Sequence, residues 1–373
     1  MFDFDVAIVG ASLSGSAAAI ELAAVGRVAL FDKSTFPRRK ACGEGLSAIG
    51  YRTLQELGIA IPAQRLFGYR IAQGDRNVTV SSQDGAFGVE RRVLDAMVLD
   101  RASRAEGITT CLGEKVRGIE LRDDRVIVST GASRVVARHV IIADGAQSLT
   151  AKRLDVPTRQ ARRPRFAAST ECETTSTFEH VQILVRPDFE VYVTPTRPGS
   201  VNISFVGDRA SLGRLVSPDC VRAELNLVGE LVGADFVLME DPLGVGCLGP
   251  LSRTPVFGRA LLAGDACETL DPICGMGMTH ALLSGRSAGA SLANVFRGES
   301  SWCLAAEQYR QAERSLARRL RGYSRGIHAC VAGLPRISLL RFADRSGIAS
   351  RLQTCSVRGG GVYGSLLNTV GAL

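Results

Sequence analysis

The sequence has no C-x-x-C pair and only four histidines, which lie far apart. Its ten cysteines are scattered in the same way. Structural zinc and iron–sulfur sites need closely spaced Cys and His ligands, so we expect no metal centre. Thiols without such partners are usual in a reducing compartment, and we expect these cysteines to be free.

The chain also lacks any run of about eighteen apolar residues, the length that a membrane-spanning helix requires. No secretory signal is visible, because Asp3 and Asp5 flank the first apolar run. These absences favour a cytoplasmic location. The net charge of +8 is not accompanied by a basic patch with interleaved aromatic residues, so nucleic acid is not an expected partner.

Glycine, by contrast, is abundant, and the first of two glycine-rich signals lies near the N-terminus. The apolar run Phe4–Val9 predicts a strand of a parallel sheet and leads into the segment GASLSG. Gly10 permits a tight turn and Gly15 permits close packing of helix on strand, while Ser12 replaces the usual middle glycine. A second apolar strand ends in Asp32, where an acidic side chain binds ribose hydroxyls. The order of these features predicts a nucleotide site.

The second signal lies more than 250 residues downstream. A buried strand ends in Gly264-Asp265 and is followed by the segment DPICGMGM, residues 271–278. Two such signals, far apart in the sequence, indicate a long dinucleotide that must be bound at both ends. We therefore expect FAD. Gly275 and Gly277 let the backbone approach a flavin ring, and amides of the helix that follows would stabilise the anionic reduced flavin.

The pattern of elements predicts an α/β fold with a Rossmann-like FAD-binding domain, an inserted antiparallel β-sheet substrate domain and a C-terminal helical region. Alternating strands between prolines, near 181–185, 190–194 and 201–206, identify the insertion. We assign residues 1–65, 90–154 and 251–300 to the FAD domain, 66–89 and 155–250 to the substrate domain, and 301–373 to the C-terminal region.

Two further predicted helices carry apolar and polar residues on separate faces. In the helix predicted over 91–106, Val93 and Met97 are spaced to face the core and Asp95 to face away from it. The basic helix predicted over 304–331 carries an apolar stripe from Leu316 to Val331. That stripe is typical of a helix on a membrane surface, which would give peripheral membrane association, or of a helix packed across the molecule.

Over roughly residues 1–300, the chain resembles the FAD-dependent superfamily of geranylgeranyl reductases, single-component aromatic hydroxylases and flavin-dependent halogenases. The resemblance rests on motifs in the family's order: GASLSG with Asp32, FPRRKACGEGL at 36–46, ERRVLD at 90–95, DGAQS at 144–148, and Gly264-Asp265-Ala266 with Pro272, Gly275 and Gly277. The DGAQS motif departs from the hydroxylase pattern, because Ala151 stands where those enzymes have an arginine that serves the nicotinamide cofactor.

The resemblance implies FAD as cofactor and NAD(P)H as electron donor. It places the adenosine ribose at Asp32, the ribityl and phosphate region near Arg91, and the ribityl chain at Asp265. The residues that we expect to bind FAD are Gly10, Ala11, Ser12, Ser14, Gly15, Asp32, Lys33, Arg38, Cys42, Gly43, Arg91, Asp144, Gly264, Asp265, Pro272, Gly275, Met276, Gly277 and Met278.

The resemblance leaves the reaction open. The segments around Cys42 and Asp271 are similar to those of the reductase branch, which implies hydride transfer from flavin N5 to a C=C bond. The alternative is hydroxylation of an electron-rich ring through a C4a-hydroperoxyflavin, and a third is a flavin-binding interaction module without catalysis. Halogenases carry a W-x-W-x-I-P motif, whereas the single tryptophan here is Trp302.

Three residues are candidates for contact with the substrate. Cys42 is either a proton donor or a packing residue beside the flavin. Tyr192 and Pro195 fall where the family has an aromatic-and-proline strand, and sheet packing is their alternative role. The low charge of 181–206 indicates an apolar small-molecule substrate: an isoprenoid, a lipid or a polyketide-like compound.

Overall fold

The computed structural model describes residues 2–74, 76–160, 164–215, 217–248 and 251–332. Within these ranges the strands are β1 (Phe4–Val9), β2 (Val28–Asp32), β3 (Gly45–Ser47), β4 (Gln64–Gln73), β5 (Arg76–Gly88), β6 (Ile108–Leu112), β7 (Gly118–Leu121), β8 (Val126–Ser129), β9 (Arg134–Ile142), β10 (Thr158–Gln160), β11 (Arg165–Glu173), β12 (Val181–Val185), β13 (Phe189–Arg197), β14 (Ser200–Gly207), β15 (Val237–Leu238), β16 (Leu243–Leu248), β17 (Leu251–Arg253), β18 (Val256–Phe257), β19 (Ala260–Leu262) and β20 (Glu268–Thr269). The helices are α1 (Leu13–Leu22), α2 (Ala48–Glu56), α3 (Arg91–Ser103), α4 (Leu149–Arg153), α5 (Arg209–Leu212), α6 (Pro218–Val232), α7 (Gly277–Phe296) and α8 (Trp302–Ala332).

The first sheet is the predicted Rossmann-like unit. Its parallel strands run in the order β19, β9, β1, β2, β6, and the hairpin of β7 and β8 continues from β9. The central strands are apolar along their length because helices or loops cover both faces of a parallel sheet. One face packs against α1, α7 and α8 through residues such as Ala18, Leu292 and Tyr309. The predicted α/β fold class is confirmed.

The second sheet joins two separate stretches of the chain. Its order is β15, β11, β14, β13, β12, β4, β5, β3, and its strands are antiparallel except for the parallel pair β4 and β12. The strands predicted near 181–185, 190–194 and 201–206 are present. A short third sheet is formed by β10, β17 and β20.

A helix within the inserted region was not predicted. The α6 helix packs Val221, Leu225 and Val228 against the outer face of the second sheet. Two start and stop signals were present in the sequence, namely Pro218 in its first turn and Gly233, which ends it with φ of +70°. The predicted inserted β-sheet is present, and α6 is an addition to it that was missed because strand alternation on either side dominated the pattern.

The described part of α8 is packed across the molecule. Leu316 and Leu320 of the predicted stripe are buried, and the hydroxyl of Tyr309 donates to the carbonyl oxygen of Leu262 at 2.6 Å. His280 Nε2 and Glu313 Oε1 lie 2.6 Å apart, which joins α7 to α8. The side chain of Val331 and residues 333–373 lie outside the described part of the chain. Among the helices that are described, none is both long and apolar enough to cross a bilayer.

Candidate functional site

Four parallel strands end at one edge of the first sheet. β1 ends just before Gly10, β2 ends at Asp32, β9 leads to Asp144, and β19 leads to Gly264. The winding of the sheet changes direction at β1, because β2 lies on one side of it and β9 on the other. Open α/β sheets bind ligands at such a switch point. The fold therefore brings both glycine-rich signals to one place.

The GASLSG turn depends on two glycines that nearly touch. Gly10 has φ of +104°, and a Cβ on Gly15 would lie 1.7 Å from the carbonyl oxygen of Gly10. Asp32 holds the turn from the next strand. Its Oδ2 accepts from the amide of Ala11 at 2.8 Å, and its Oδ1 accepts from the amide of Ser34 at 2.9 Å. Each oxygen can accept a second hydrogen bond, so the carboxylate can also bind a ribose hydroxyl.

The N-terminus of α1 has the features of an anion site. Ser12 occupies the N-cap position, but its side chain does not cap the helix. Within the described chain, the hydroxyl of Ser14 is buried and has no hydrogen-bond partner. Free first-turn amides and the helix dipole favour a phosphate group here. The residues present therefore fit the pyrophosphate of FAD.

Arg91, at the start of α3, lies beside this turn. Its Nε donates to Asp95 Oδ1 at 2.8 Å and its Nη2 donates to Ser12 Oγ at 3.1 Å. Arg91 and Asp95 are 6% and 0% exposed. Burial alone would raise the pKa of Asp95, but the charges of Arg91, Lys40 and Arg38 outweigh it and hold that pKa below its ordinary value. The Arg91–Asp95 ion pair therefore helps to hold Ser12 and the turn in place.

The position of Asp95 corrects the predicted orientation of α3. The structure buries Leu94, Asp95 and Val98, whereas Val93 and Met97 are only half-buried. A carboxylate on a buried face is costly unless it is paired, and Arg91 provides the pair one helical turn away. Periodicity treats every charged residue as outward-facing, so it assigned the wrong face.

Cys42 lies where the segment after β2 meets the second sheet. Its amide donates to Ser169 Oγ at 3.3 Å, and its carbonyl oxygen accepts from Ser204 Oγ at 3.1 Å. Its Sγ lies 3.5 Å from Arg91 Nη1. The thiol is therefore held between the predicted cofactor site and the sheet that should bind substrate.

Glu44 has an unusual backbone and environment. Its φ is +55°, a conformation that non-glycine residues rarely adopt, and its Oε1 accepts from the amide of Arg91 at 2.8 Å. Burial, with the nearby charges of Glu171 and Glu90, raises the pKa of Glu44 to about 8, although the Arg91 amide opposes the shift. The side chain is therefore mostly protonated at neutral pH and acts as a neutral cap at the start of α3.

This raised pKa predicts a pH-dependent stability. Below the ordinary pKa of 4.5, both folded and unfolded chains hold the proton, and as pH rises towards about 8 the unfolded chain loses it first. The contribution of Glu44 to stability should therefore fall across this window. In Glu44→Gln that fall should disappear, so the variant should gain stability relative to the wild type between pH 5 and pH 8.5, as measured by urea unfolding. Parallel curves for the two proteins would contradict the assignment.

The second glycine-rich signal forms the other end of the site. Gly264 has φ of +59°, and its amide donates to Ser284 Oγ at 2.9 Å. Asp265 lies in a 3₁₀ turn, and its carbonyl oxygen accepts a hydrogen bond from Thr269 Oγ1 at 3.1 Å. Burial and the charge of Arg91 lower the pKa of Lys40, whereas the charge of Asp265 acts to raise it.

The turn and helix after Asp271 have an open backbone. A 3₁₀ turn, Pro272–Cys274, ends at Gly275 with φ of +60°, and a Cβ on Gly277 would have no neighbour within 4 Å. No side chain caps the N-terminus of α7. Met276 and Met278 are buried in two hydrophobic clusters, so only their backbone can serve a ligand. This cradle fits the ring of a flavin, and its uncapped amides fit the negative charge of the reduced form.

The remaining predicted cofactor residues differ in their surroundings. Asp144 accepts from the amide of Thr150 at 3.2 Å through Oδ2, and its buried Oδ1 has no partner among the described residues. The Nε of Arg38 is likewise buried without a partner in that part of the chain. Gly43 and Lys33 are exposed. Lys33 is therefore the predicted cofactor residue with least support from the geometry.

The structure separates the two predicted substrate residues. Tyr192 lies on the face of the second sheet that meets the Cys42 segment, in an apolar cluster with Leu66, Ile71, Ala86, Val181, Ile183 and Val206. Pro195 is three residues further along the strand, so its side chain falls on the other face. Its carbonyl oxygen would lie 1.6 Å from a Cβ on Gly88. Of the two, only Tyr192 has its side chain on the face that meets the Cys42 segment.

Sequence reasoning missed Arg165 and Glu190, which the fold places beside Tyr192. Arg165 Nη2 lies 2.8 Å from Glu190 Oε2, and the Tyr192 hydroxyl donates to the same oxygen at 2.6 Å. The spacing of Glu190 and Tyr192 on one strand placed them on one face, but that signal was not used. Within the described ranges, no group of His, Cys, Asp and Glu side chains is placed to hold a metal ion.

Comparison with known proteins adds relatives that span most of the chain. No protein-family model matches it. A digeranylgeranylglycerophospholipid reductase from Methanopyrus kandleri is 30% identical over 311 residues, which cover 77% of this chain and 80% of the relative. A menaquinone reductase from Mycolicibacterium smegmatis is 29% identical over 346 residues, covering 85% of this chain and 83% of the relative.

Solved structures share the fold at lower identity. A flavoprotein/dehydrogenase from Cytophaga hutchinsonii superposes with a TM-score of 0.76 at 20% identity, covering 86% of this chain and 85% of that one. The flavin-dependent brominase Bmp2 superposes with a TM-score of 0.77 at 16% identity over 99% of this chain and 98% of that one. The chain therefore belongs to the superfamily of FAD-dependent oxidoreductases that contains geranylgeranyl reductases, aromatic hydroxylases and flavin-dependent halogenases, and it is an enzyme of that class.

Proposed function

We propose that this enzyme reduces a carbon–carbon double bond of an isoprenoid lipid. When bound, FAD supplies hydride from N5, and the protein supplies position, charge and a proton. The observation that carries the proposal is the apolar face around Tyr192, which lies opposite the flavin-facing loops. Ile71, Val181 and Ile183 are buried in that face and are suited to a hydrocarbon chain. The named activities of the two reductase relatives agree with a prenylated substrate.

Residues at both ends of the cleft would hold FAD. The α1 amides and Ser14 would bind the pyrophosphate, Asp32 the adenosine ribose, and Asp265 the ribityl chain. Gly275 and Gly277 would let the backbone approach the ring, and the uncapped amides of α7 would stabilise charge that develops there on reduction. Arg91 supports this arrangement by holding Ser12 at the turn.

Cys42 is the proposed proton donor for the carbon that does not receive hydride. Its thiol lies at the junction between the cofactor cleft and the substrate-facing sheet. We expect Cys42→Ser to lower the rate of substrate reduction by about a hundredfold while FAD affinity is unchanged, because general-acid catalysis is worth 10²–10⁴-fold. Cys111→Ser, at a half-buried cysteine of β6, is the matched control. Equal rates for the two variants would reduce Cys42 to a packing residue.

Hydroxylation is the alternative reaction, since the superfamily contains both chemistries. Turnover under heavy-isotope oxygen gas separates the two directly. A reductase should give a product with no labelled oxygen and two added hydrogens, whereas a hydroxylase should place one labelled oxygen in the product. The second result would overturn the proposed function and leave the FAD assignment intact.

The proposed electron donor is NAD(P)H, as the family resemblance implies. Ala151, where hydroxylases have an arginine, is fully buried in α4, so a different cation would have to bind the nicotinamide cofactor. Anaerobic bleaching of the bound flavin by NADH or NADPH tests the assignment. If dithionite bleaches the flavin but neither NADH nor NADPH does, the electron donor is a different molecule.

Peripheral contact with a membrane completes the proposal, since an isoprenoid lipid resides there. The apolar stripe of α8 is packed inward, but Arg314, Arg318 and Arg325 are exposed on its outer face. Basic side chains near anionic headgroups contribute about 1 kcal/mol each. Sedimentation with phosphatidylserine vesicles, lost in high salt, is the expected result, and no binding at low salt would remove this contact.

A further inference from the structure

A charge cluster joins the substrate-facing sheet to the flavin-facing loop. Arg165 opens β11, and its Nη2 lies 2.8 Å from Glu190 Oε2 on β13. Its Nη1 lies 3.4 Å from Asp271 Oδ1, in the loop that leads to α7. The three side chains are only 17%, 14% and 11% exposed, respectively. One guanidinium thus spans two mostly buried carboxylates that belong to different parts of the site.

Each of the two carboxylates makes a second contact, one with the proposed substrate surface and the other within the loop that precedes α7. Glu190 accepts from the hydroxyl of Tyr192, which lies in the proposed substrate surface. Asp271 Oδ1 accepts from the amide of Ile273 at 3.1 Å and so caps the 3₁₀ turn that ends at Gly275. A continuous set of contacts therefore runs from Tyr192 to the turn that precedes the N-terminus of α7.

A second contact ties the same loop to the same sheet face. A Cβ on Gly275 would lie 3.6 Å from the hydroxyl oxygen of Tyr69, a β4 residue packed against the Tyr192 cluster. Two tyrosines of the proposed substrate surface are therefore linked to the same short loop. Tyr192 is linked through Glu190 and Arg165, and Tyr69 lies close to Gly275. The loop thus lies close to the sheet at Gly275, and Arg165 adds an ionic link between the two.

We propose that Arg165 is a positioning residue: it fixes the 271–277 loop against the substrate-facing sheet and so sets how strongly the α7 amides stabilise reduced flavin. The assignment of the sheet face to substrate rests on the proposed function, but the effect on flavin does not. Without Arg165, the positive charge beside Asp271 would be lost, and the loop would lose one of its links to the sheet. Both changes disfavour the anionic reduced flavin.

The test is the midpoint potential of bound FAD, measured by anaerobic dye equilibration in the full-length holoenzyme. We expect Arg165→Met to bind reduced FAD at least tenfold less well relative to oxidised FAD, which is a potential about 30 mV more negative for a two-electron couple. Arg165→Lys keeps the charge but not the two-pronged geometry, so its shift should be intermediate. Arg165→Lys also carries the test if the methionine variant does not fold.

Arg186→Met is the matched control. Arg186 also pairs with a mostly buried carboxylate, Glu224, but that carboxylate belongs to α6, which packs on the outer face of the sheet. If Arg165 only stabilises the fold, both methionine variants should lose similar stability to urea and keep the wild-type potential, and the proposal would be wrong. A shifted potential in a protein that reduces no isoprenoid would overturn the proposed function and leave this inference standing.

Discussion

Replacement of Gly15 by alanine is expected to abolish FAD binding. The added Cβ would lie 1.7 Å from the carbonyl oxygen and 2.9 Å from the carbonyl carbon of Gly10. These are backbone atoms of a turn that Asp32 and Ala11 fix from the other side, so they cannot move aside as a flexible side chain could. Overpacking typically costs about 1–3 kcal/mol and is relieved by backbone shifts, which here would displace the turn from the pyrophosphate position. A loss of about 3 kcal/mol in binding free energy corresponds to about a hundredfold in affinity.

Fluorescence titration of the apoprotein with FAD measures this loss, and two glycine variants frame it. Gly322→Ala, on α8, should leave affinity unchanged, because its Cβ would meet nothing within 4 Å. Gly277→Ala also meets nothing in the protein, so it should leave stability unchanged but weaken FAD binding, since its Cβ would enter the open space that we propose for the flavin. Wild-type affinity in Gly15→Ala would remove the GASLSG turn from the cofactor site.

Replacement of Arg91 by methionine should produce the largest loss of stability in the site. Asp95 is fully buried, and Arg91 supplies its ion pair at 2.8 Å. Breaking a buried ion pair typically costs about 3–5 kcal/mol, and the loss should lie towards the lower end of that range because Arg38 remains 3.7 Å from the other carboxylate oxygen of Asp95. We therefore expect the free energy of unfolding to fall by about 3 kcal/mol or more in urea. FAD affinity should fall with it, because Ser12 loses one of its two partners at the turn and Asp95, the other, loses the ion pair that holds it in place.

Arg92, the next residue, provides a matched control. Its side chain is 43% exposed and pairs with Glu90, Glu171 and Glu240 at 3.2–4.0 Å. Exposed pairs contribute at most about 1 kcal/mol, so Arg92→Met should be nearly neutral. The double variant Arg91→Met, Asp95→Asn should recover part of the stability that Arg91→Met loses, because the buried charge is gone. Equal losses for Arg91→Met and Arg92→Met would contradict the role assigned to the pair.

The features predictable from the sequence were those carried by local backbone constraints. Gly10, Gly15 and Asp32 lie in one strand–turn–helix–strand unit, and their spacing alone indicated a nucleotide turn. The loop from Pro272 to Gly277 was readable for the same reason. Each of these signals is contained in a short stretch of chain, so no knowledge of the sheet order was needed.

The features that were missed depend on pairing between distant segments. Arg165 and Glu190 meet only because β11 and β13 both pair with β14, a register that the sequence does not display. Asp95 was assigned to the solvent face because its partner, Arg91, was considered only as a cofactor residue. Periodicity and motifs describe one segment at a time, whereas buried charge is decided by what two segments bring together.

We propose above that reduced FAD in this protein transfers hydride to an isoprenoid double bond. The most direct measurement is an anaerobic single turnover, in which photoreduced holoenzyme is mixed with a prenylated lipid and flavin absorbance is followed together with product mass. We expect oxidised flavin to return in step with a product that has gained two hydrogen atoms. Flavin that stays reduced until oxygen is admitted, with a product that then gains an oxygen atom, would contradict it.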